Sequence, residues 1–109
     1  MWSDKSDHIM KLLEDSEDLF PRICPCCGKK AGHLFLYKHR EDKAGGAWVW
    51  CSECQEFSHS RNLIPEWWKN LDTVKPTDLH ACPDNLDEIH ESIDEWVNIL
   101  LEKRKQKNA

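Results

Sequence analysis

The chain reads as an α+β protein, a β-hairpin clamped at its base and packed with flanking helices. Three features lead there. Four cysteines stand in two close pairs, Cys24 with Cys27 and Cys51 with Cys54. Between the pairs lie two short aromatic runs, residues 33–39 and 47–50, of the composition that forms strands. Towards the end, Leu86, Ile89, Ile93, Trp96, Val97 and Leu100 recur at spacings of three and four, the period of a helix with one apolar face.

Taken in order, Ile9, Leu12 and Leu13 predict a short amphipathic helix over residues 5–18, stopped by Pro21. Residues 22–60 form the clamped module. Its first strand covers residues 33–39 and its second residues 47–50, joined by a polar, Gly-ended connection at 40–46. Residues 55–59 add a third short strand. Pro65 followed by Glu66 suits the start of a helix, which predicts two turns over 65–72. Residues 73–83 hold two prolines and little periodicity, so they read as a connector wrapping the hairpin. The final helix spans 84–103. Asp84, Asp87 and Glu88 stand at its amino end and Lys103, Arg104 and Lys105 at its carboxyl end, as the helix dipole favours. Ile89, Ile93 and Trp96 are its expected core contacts.

The cysteine pairs carry the chemistry. The first stands in Cys24-Pro25-Cys26-Cys27-Gly28 and the second in Cys51-Ser52-Glu53-Cys54, with 23 residues between Cys27 and Cys51. Two such turns bring four thiolates to the corners of a tetrahedron, the arrangement Zn²⁺ accepts; iron in an S₄ site is the alternative. The metal ligands are therefore Cys24, Cys27, Cys51 and Cys54. A site closed by four sulfurs has no open position, so it braces a fold and does not catalyse. Cys26 is expected to be a spare thiol pointing away from the metal. His59 is expected to pack at the surface, with ligation or a hydrogen bond to a thiolate as alternatives. Cys82 reads as a small buried residue, with His80 the nearest base should it be a nucleophile.

The length of 109 residues fits one domain over 1–109, and 39% hydrophobic beside 32% charged residues is a globular composition. No run of eighteen apolar residues is present, and the amino terminus turns acidic without an apolar leader. Reduced, metal-bound thiols in the cytoplasm are the expectation. The net charge of -5 is uneven: -4 over residues 1–20, +2 over 21–80 and -3 over 81–109. Such a balance disfavours a phosphate backbone, although Lys29, Lys30, Lys38, Arg40, Lys43 and Arg61 could gather beside Tyr37 or Trp48 as a local patch. The carboxylates at 87, 88, 91, 94 and 95 read as a solvated helix face, with His90 beside Glu91 or Asp94. No phosphate-cradling loop or nucleophile elbow is present, so no enzyme activity is expected.

Six tryptophans are many for this length. Trp48 and Trp50 share one strand face, as core or as interface anchors, and of Trp67 and Trp68 one should be buried and one partly exposed.

At Cys24-Pro25-x-Cys27-Gly28 and Cys51-x-x-Cys54, over roughly residues 22–59, the sequence resembles zinc-ribbon proteins. That resemblance implies a Zn²⁺-stabilised ribbon, in a class whose members bind nucleic acid, join subunits or support enzymes. The length, acid-rich flanks and aromatic hairpin also look like small bacterial toxin-immunity proteins. This second resemblance implies an inhibitor occupying a cognate toxin. The expectation is thus a zinc-stabilised protein-binding protein acting as a toxin inhibitor, with a nucleic-acid-binding ribbon as the alternative.

Overall fold

A computed structural model describes residues 2–4, 9–13, 19–38, 44–71, 73–75, 77, 79–80 and 82–107. Among the described residues, five strands form one sheet: β1 (Ser3–Asp4), β2 (Arg22–Ile23), β3 (Lys30–Lys38), β4 (Ala44–Cys51) and β5 (Glu56–Leu63), in the order β1-β5-β4-β3-β2. The four strands β2 to β5 are antiparallel to their neighbours, and β1 joins the edge of β5 in parallel. Two helices follow, α1 (Asp84–Glu88) and α2 (His90–Lys107).

Pleating explains how the sheet is sealed. Successive side chains point to opposite faces, and the registers His33↔Trp50, Phe35↔Trp48 and Trp50↔Phe57 stack aromatic rings on one of them. Helix α2 packs on β3, and Trp68 and His80, from the chain before α1, reach the same aromatic face. There Trp68 meets Phe35 edge-on at 6.1 Å, and Trp48 Nε1 donates to the His80 carbonyl at 2.9 Å. The opposite face, with Leu34, Leu36 and Val49, is covered near its lower end by a 3₁₀ turn, Met10–Leu13. Leu12 sits so close that a Cβ on Gly32 would lie 2.8 Å from its Cδ2. A side chain there would displace Leu12 and crowd the Arg22 carbonyl oxygen at 3.0 Å. Ile9, Phe35, Val49, Trp50, Ile93 and Val97 are wholly buried, so both layers contribute to one core.

Two asparagines fasten the layers. Asn70 accepts from the Lys38 N–H and donates to the Lys38 carbonyl, both at 2.8 Å. Asn98 does the same for Phe20, at 2.8 and 2.9 Å. Each carboxamide replaces a strand partner where none is available, satisfying two backbone groups at once.

Several expectations need correction. The helix expected over 65–72 is a turn, closed by Trp68 N–H to Pro65 C=O at 3.1 Å. Burial of Trp68 and the Asn70 clamp pull the following chain out of helical path, outweighing local propensity. The expected division of the pair holds, with Trp68 buried and Trp67 half-buried. The final helix is broken at Ile89, which caps α1 and is exposed, not core; α2 then continues to Lys107. Trp96 is only partly buried, its indole N–H donating to the Lys69 carbonyl at 2.9 Å. The third strand runs to Leu63, so the sheet outlasts the expected 22–60 module. Trp48 and Trp50 are both core, which removes them as interface anchors. Asp94 is 7% exposed and Asp87 half-buried, so those two acids leave the expected solvated face. Of the expected helix over 5–18, residues 5–8 and 14–18 lie outside the described residues, as do residue 39 and residues 40–43 of the expected connection.

Candidate metal centre

Both cysteine pairs occupy loops at the same end of the sheet. The first loop joins β2 to β3 and the second joins β4 to β5, while the pairing Gly32↔Cys51 sets them side by side. Ser52 N–H to Ala31 C=O, at 3.1 Å, carries this alignment into the second loop.

The loops repeat one design. In the first, Gly28 N–H donates to the Cys24 carbonyl at 2.9 Å and Gly28 has φ of 78°. In the second, Gln55 N–H donates to the Cys51 carbonyl at 3.0 Å and Gln55 has φ of 59°. The residue after each second cysteine is therefore left-handed. Glycine takes this conformation freely, whereas a side chain there costs about 1 kcal/mol.

These turns bring together the four predicted sulfurs, all within 4.8 Å of one another. Cys24 Sγ lies 3.7 Å from Cys54 Sγ, and Cys27 Sγ lies 3.6 Å from Cys51 Sγ. Sulfurs at about 2.3 Å from a tetrahedral Zn²⁺ are about 3.8 Å apart, so the cage has the size of the ion. Cys24 and Cys51 are buried, Cys54 is half-buried and Cys27 is exposed, giving a site with a dry back and a wet front. Burial pushes the Cys51 and Cys54 thiols up, whereas the Lys29 backbone N–H holds Cys27 down. Four thiolates this close would repel, and a bound dication would make them compatible.

The other predicted positions separate cleanly. Cys26 is exposed and outside the cage, its N–H donating to Cys24 Sγ at 3.3 Å. Desolvation and then Glu56 push its thiol up to about 12, the opposite of a reactive thiolate. His59 is stacked on Trp48 with centroids 4.4 Å apart, in packing and not ligation. Cys82 is half-buried, while neighbouring His80 faces Asp84 and Asn85.

A second cluster has no counterpart in local spacing alone. His33, buried in β3, places Nδ1 2.8 Å from Asp94 Oδ1 of α2 and Nε2 2.7 Å from Ser52 Oγ. Ser52 lies between Cys51 and Cys54 and donates to Asp87 Oδ1 at 2.5 Å, which also accepts from Trp50 Nε1 at 3.1 Å. His90 completes the group, its ring centroid 4.7 Å from that of His33. The i,i+4 spacing of His90 and Asp94 on one helix face was visible in the sequence; the approach of His33, 61 residues from Asp94, was not.

Among the described residues, no helix is long and apolar enough to cross a membrane. No family model, curated protein or solved structure matches the chain.

Proposed function

We propose that this is a non-enzymatic, zinc-stabilised protein-binding protein, its cysteine loops forming a zinc-ribbon centre with Cys24, Cys27, Cys51 and Cys54 as ligands. The observation that carries the reading is the convergence of four sulfurs at the spacing of a tetrahedral Zn²⁺ shell. Such a centre supplies folding free energy and no open coordination position.

The surface argues for a protein partner. With Trp48 and Trp50 in the core, a nucleic-acid ribbon loses both as stacking platforms and keeps only half-buried Tyr37 beside Lys38. Outside lies an acidic stripe on α2, Glu91, Glu95 and Glu102, all exposed, with exposed Glu88 ending α1 and Ile99 beside the stripe at 41% exposure. Acids steer a basic partner and a desolvated apolar residue anchors it. A basic toxin blocked by this stripe is the narrower form of the proposal.

The test joins metal and partner. The purified protein should hold Zn²⁺ and lose its cooperative unfolding on chelation. Co-expression with a cognate basic toxin should protect cells with the intact chain and fail with the triple change Glu91→Lys, Glu95→Lys, Glu102→Lys, whose fold should persist. Salt-sensitive binding to unrelated RNA or DNA, unaffected by that change, would overturn the protein-binding reading in favour of the nucleic-acid one.

A further inference from the structure

We propose that His33, His90 and Asp94 form a second divalent-metal site, distinct from the cysteine cage and suited to Zn²⁺. The argument starts from the one proton of the Ser52 hydroxyl. Its oxygen sits 2.5 Å from Asp87 Oδ1, a carboxylate oxygen that only accepts, so the proton is committed there. Ser52 Oγ must then accept from His33, which fixes the imidazole hydrogen on Nε2. With that hydrogen on Nε2, a neutral His33 would turn a bare lone pair at Nδ1 towards Asp94 Oδ1, another lone pair, at 2.8 Å. Two acceptors at that distance call for a positive species.

His90 adds the same demand. Its Nδ1 is buried with no hydrogen-bond partner and lies 3.9 Å from Asp94 Oδ2. Ligand atoms of the three residues all fall within 4.8 Å. Nitrogen and oxygen ligands of a tetrahedral Zn²⁺ stand about 3.3 Å apart, a value the observed 2.8 and 3.9 Å bracket. Two imidazoles and a carboxylate are a common zinc donor set. The chain Asp87–Ser52–His33 is the outer support such a site needs, since a carboxylate reached through a hydroxyl orients the ligating ring and fixes its tautomer. Three protein ligands leave the fourth position of a tetrahedral site uncommitted, and the His90 side chain beside it is 36% exposed. Unlike the cysteine cage, this centre leaves one position without a protein ligand.

The test uses the whole chain and Zn²⁺ alone. Elemental analysis should find about two zincs per chain in the wild type and about one in His90→Gln, one for each centre present. The His90 side chain is 36% exposed and glutamine keeps its polarity, so the fold should persist; circular dichroism and the melting transition check that. Cobalt substitution separates the centres. Thiolate charge-transfer absorption belongs to the cysteine cage, and d–d bands without it belong to His33, His90 and Asp94, so failure of one is distinguishable from failure of the other. Two metals in both wild type and His90→Gln would overturn the assignment. So would a wild type whose ¹⁵N spectrum shows His33 protonated on both nitrogens at saturating Zn²⁺, because the positive species would then be a proton.

Discussion

The cysteine cage and the His33–Asp94 cluster lie on either side of Ser52, yet they are built in opposite ways. The cage is made by two loops, each shaped within five residues and each closed by its own backbone hydrogen bond. The buried cluster has no loop of its own. It exists only where α2 docks on β3, and its members come from β3, the second loop and both helices. Local geometry therefore prepares the first site before the fold is complete, while the second is a product of the fold. Removing a ligand should damage the two differently.

The largest effect should come from Cys27→Ser or Cys51→Ser. Either leaves three sulfurs and should abolish zinc retention and cooperative unfolding, as followed by elemental analysis and thermal denaturation. Cys26→Ser should leave both intact, because its sulfur stands outside the cage. An equal loss from Cys26→Ser would break the ligand assignment.

Acid should act on the cage next. Zinc requires thiolates, and burial favours the protonated forms of Cys51 and Cys54 once the metal leaves. Protons therefore compete more strongly as pH falls, so stability conferred by zinc is present near neutrality and lost on acidification. Zinc release to a chromogenic chelator should rise steadily with falling pH. Release that is flat or falls would contradict a thiolate site.

The docking of the layers is tested by the asparagines. Asn98→Ala should cost about 1–3 kcal/mol, because it strands both backbone groups of Phe20. The same change at Asn70 should cost a similar amount. Denaturant unfolding with unchanged zinc content would show that the layers loosen while the cage holds. The smallest effects separate the two loops from each other. Gly28→Ala should destabilise by about 1 kcal/mol, whereas Gln55→Gly should be neutral or stabilise by up to about 1 kcal/mol. The same sign for both would mean that the left-handed residue does not limit either loop.

The cage was legible in the sequence because spacing and loop closure are local. So were β3 and β4, whose aromatic and branched residues announce buried strands. The helix expected over 65–72 failed because Trp68 and Asn70 find partners on β3, and no window of local sequence contains β3. Asp87 and Asp94 look solvated in the sequence for the same reason. A carboxylate on a helix gives no sign that a histidine waits on the sheet beneath it. Ile89 shows the reverse error: it fits the apolar period, yet the break between α1 and α2 turns it outward.

The order in which the chain is synthesised gives this arrangement a timetable. All four sulfurs of the cage are present once residue 54 has been added, whereas Asp94 arrives 40 residues later. At bacterial to eukaryotic translation speeds of about 5–20 residues per second, the delay is roughly 2–8 s. During that interval a nascent chain can already hold zinc at one end of its sheet, while His33, Phe35 and Trp50 remain without the helix that will cover them. Ser3 and Asp4, made first, wait for Glu56 and Phe57 before they have a strand to join. The metal would thus be an early fastening, and α2 the last layer to settle.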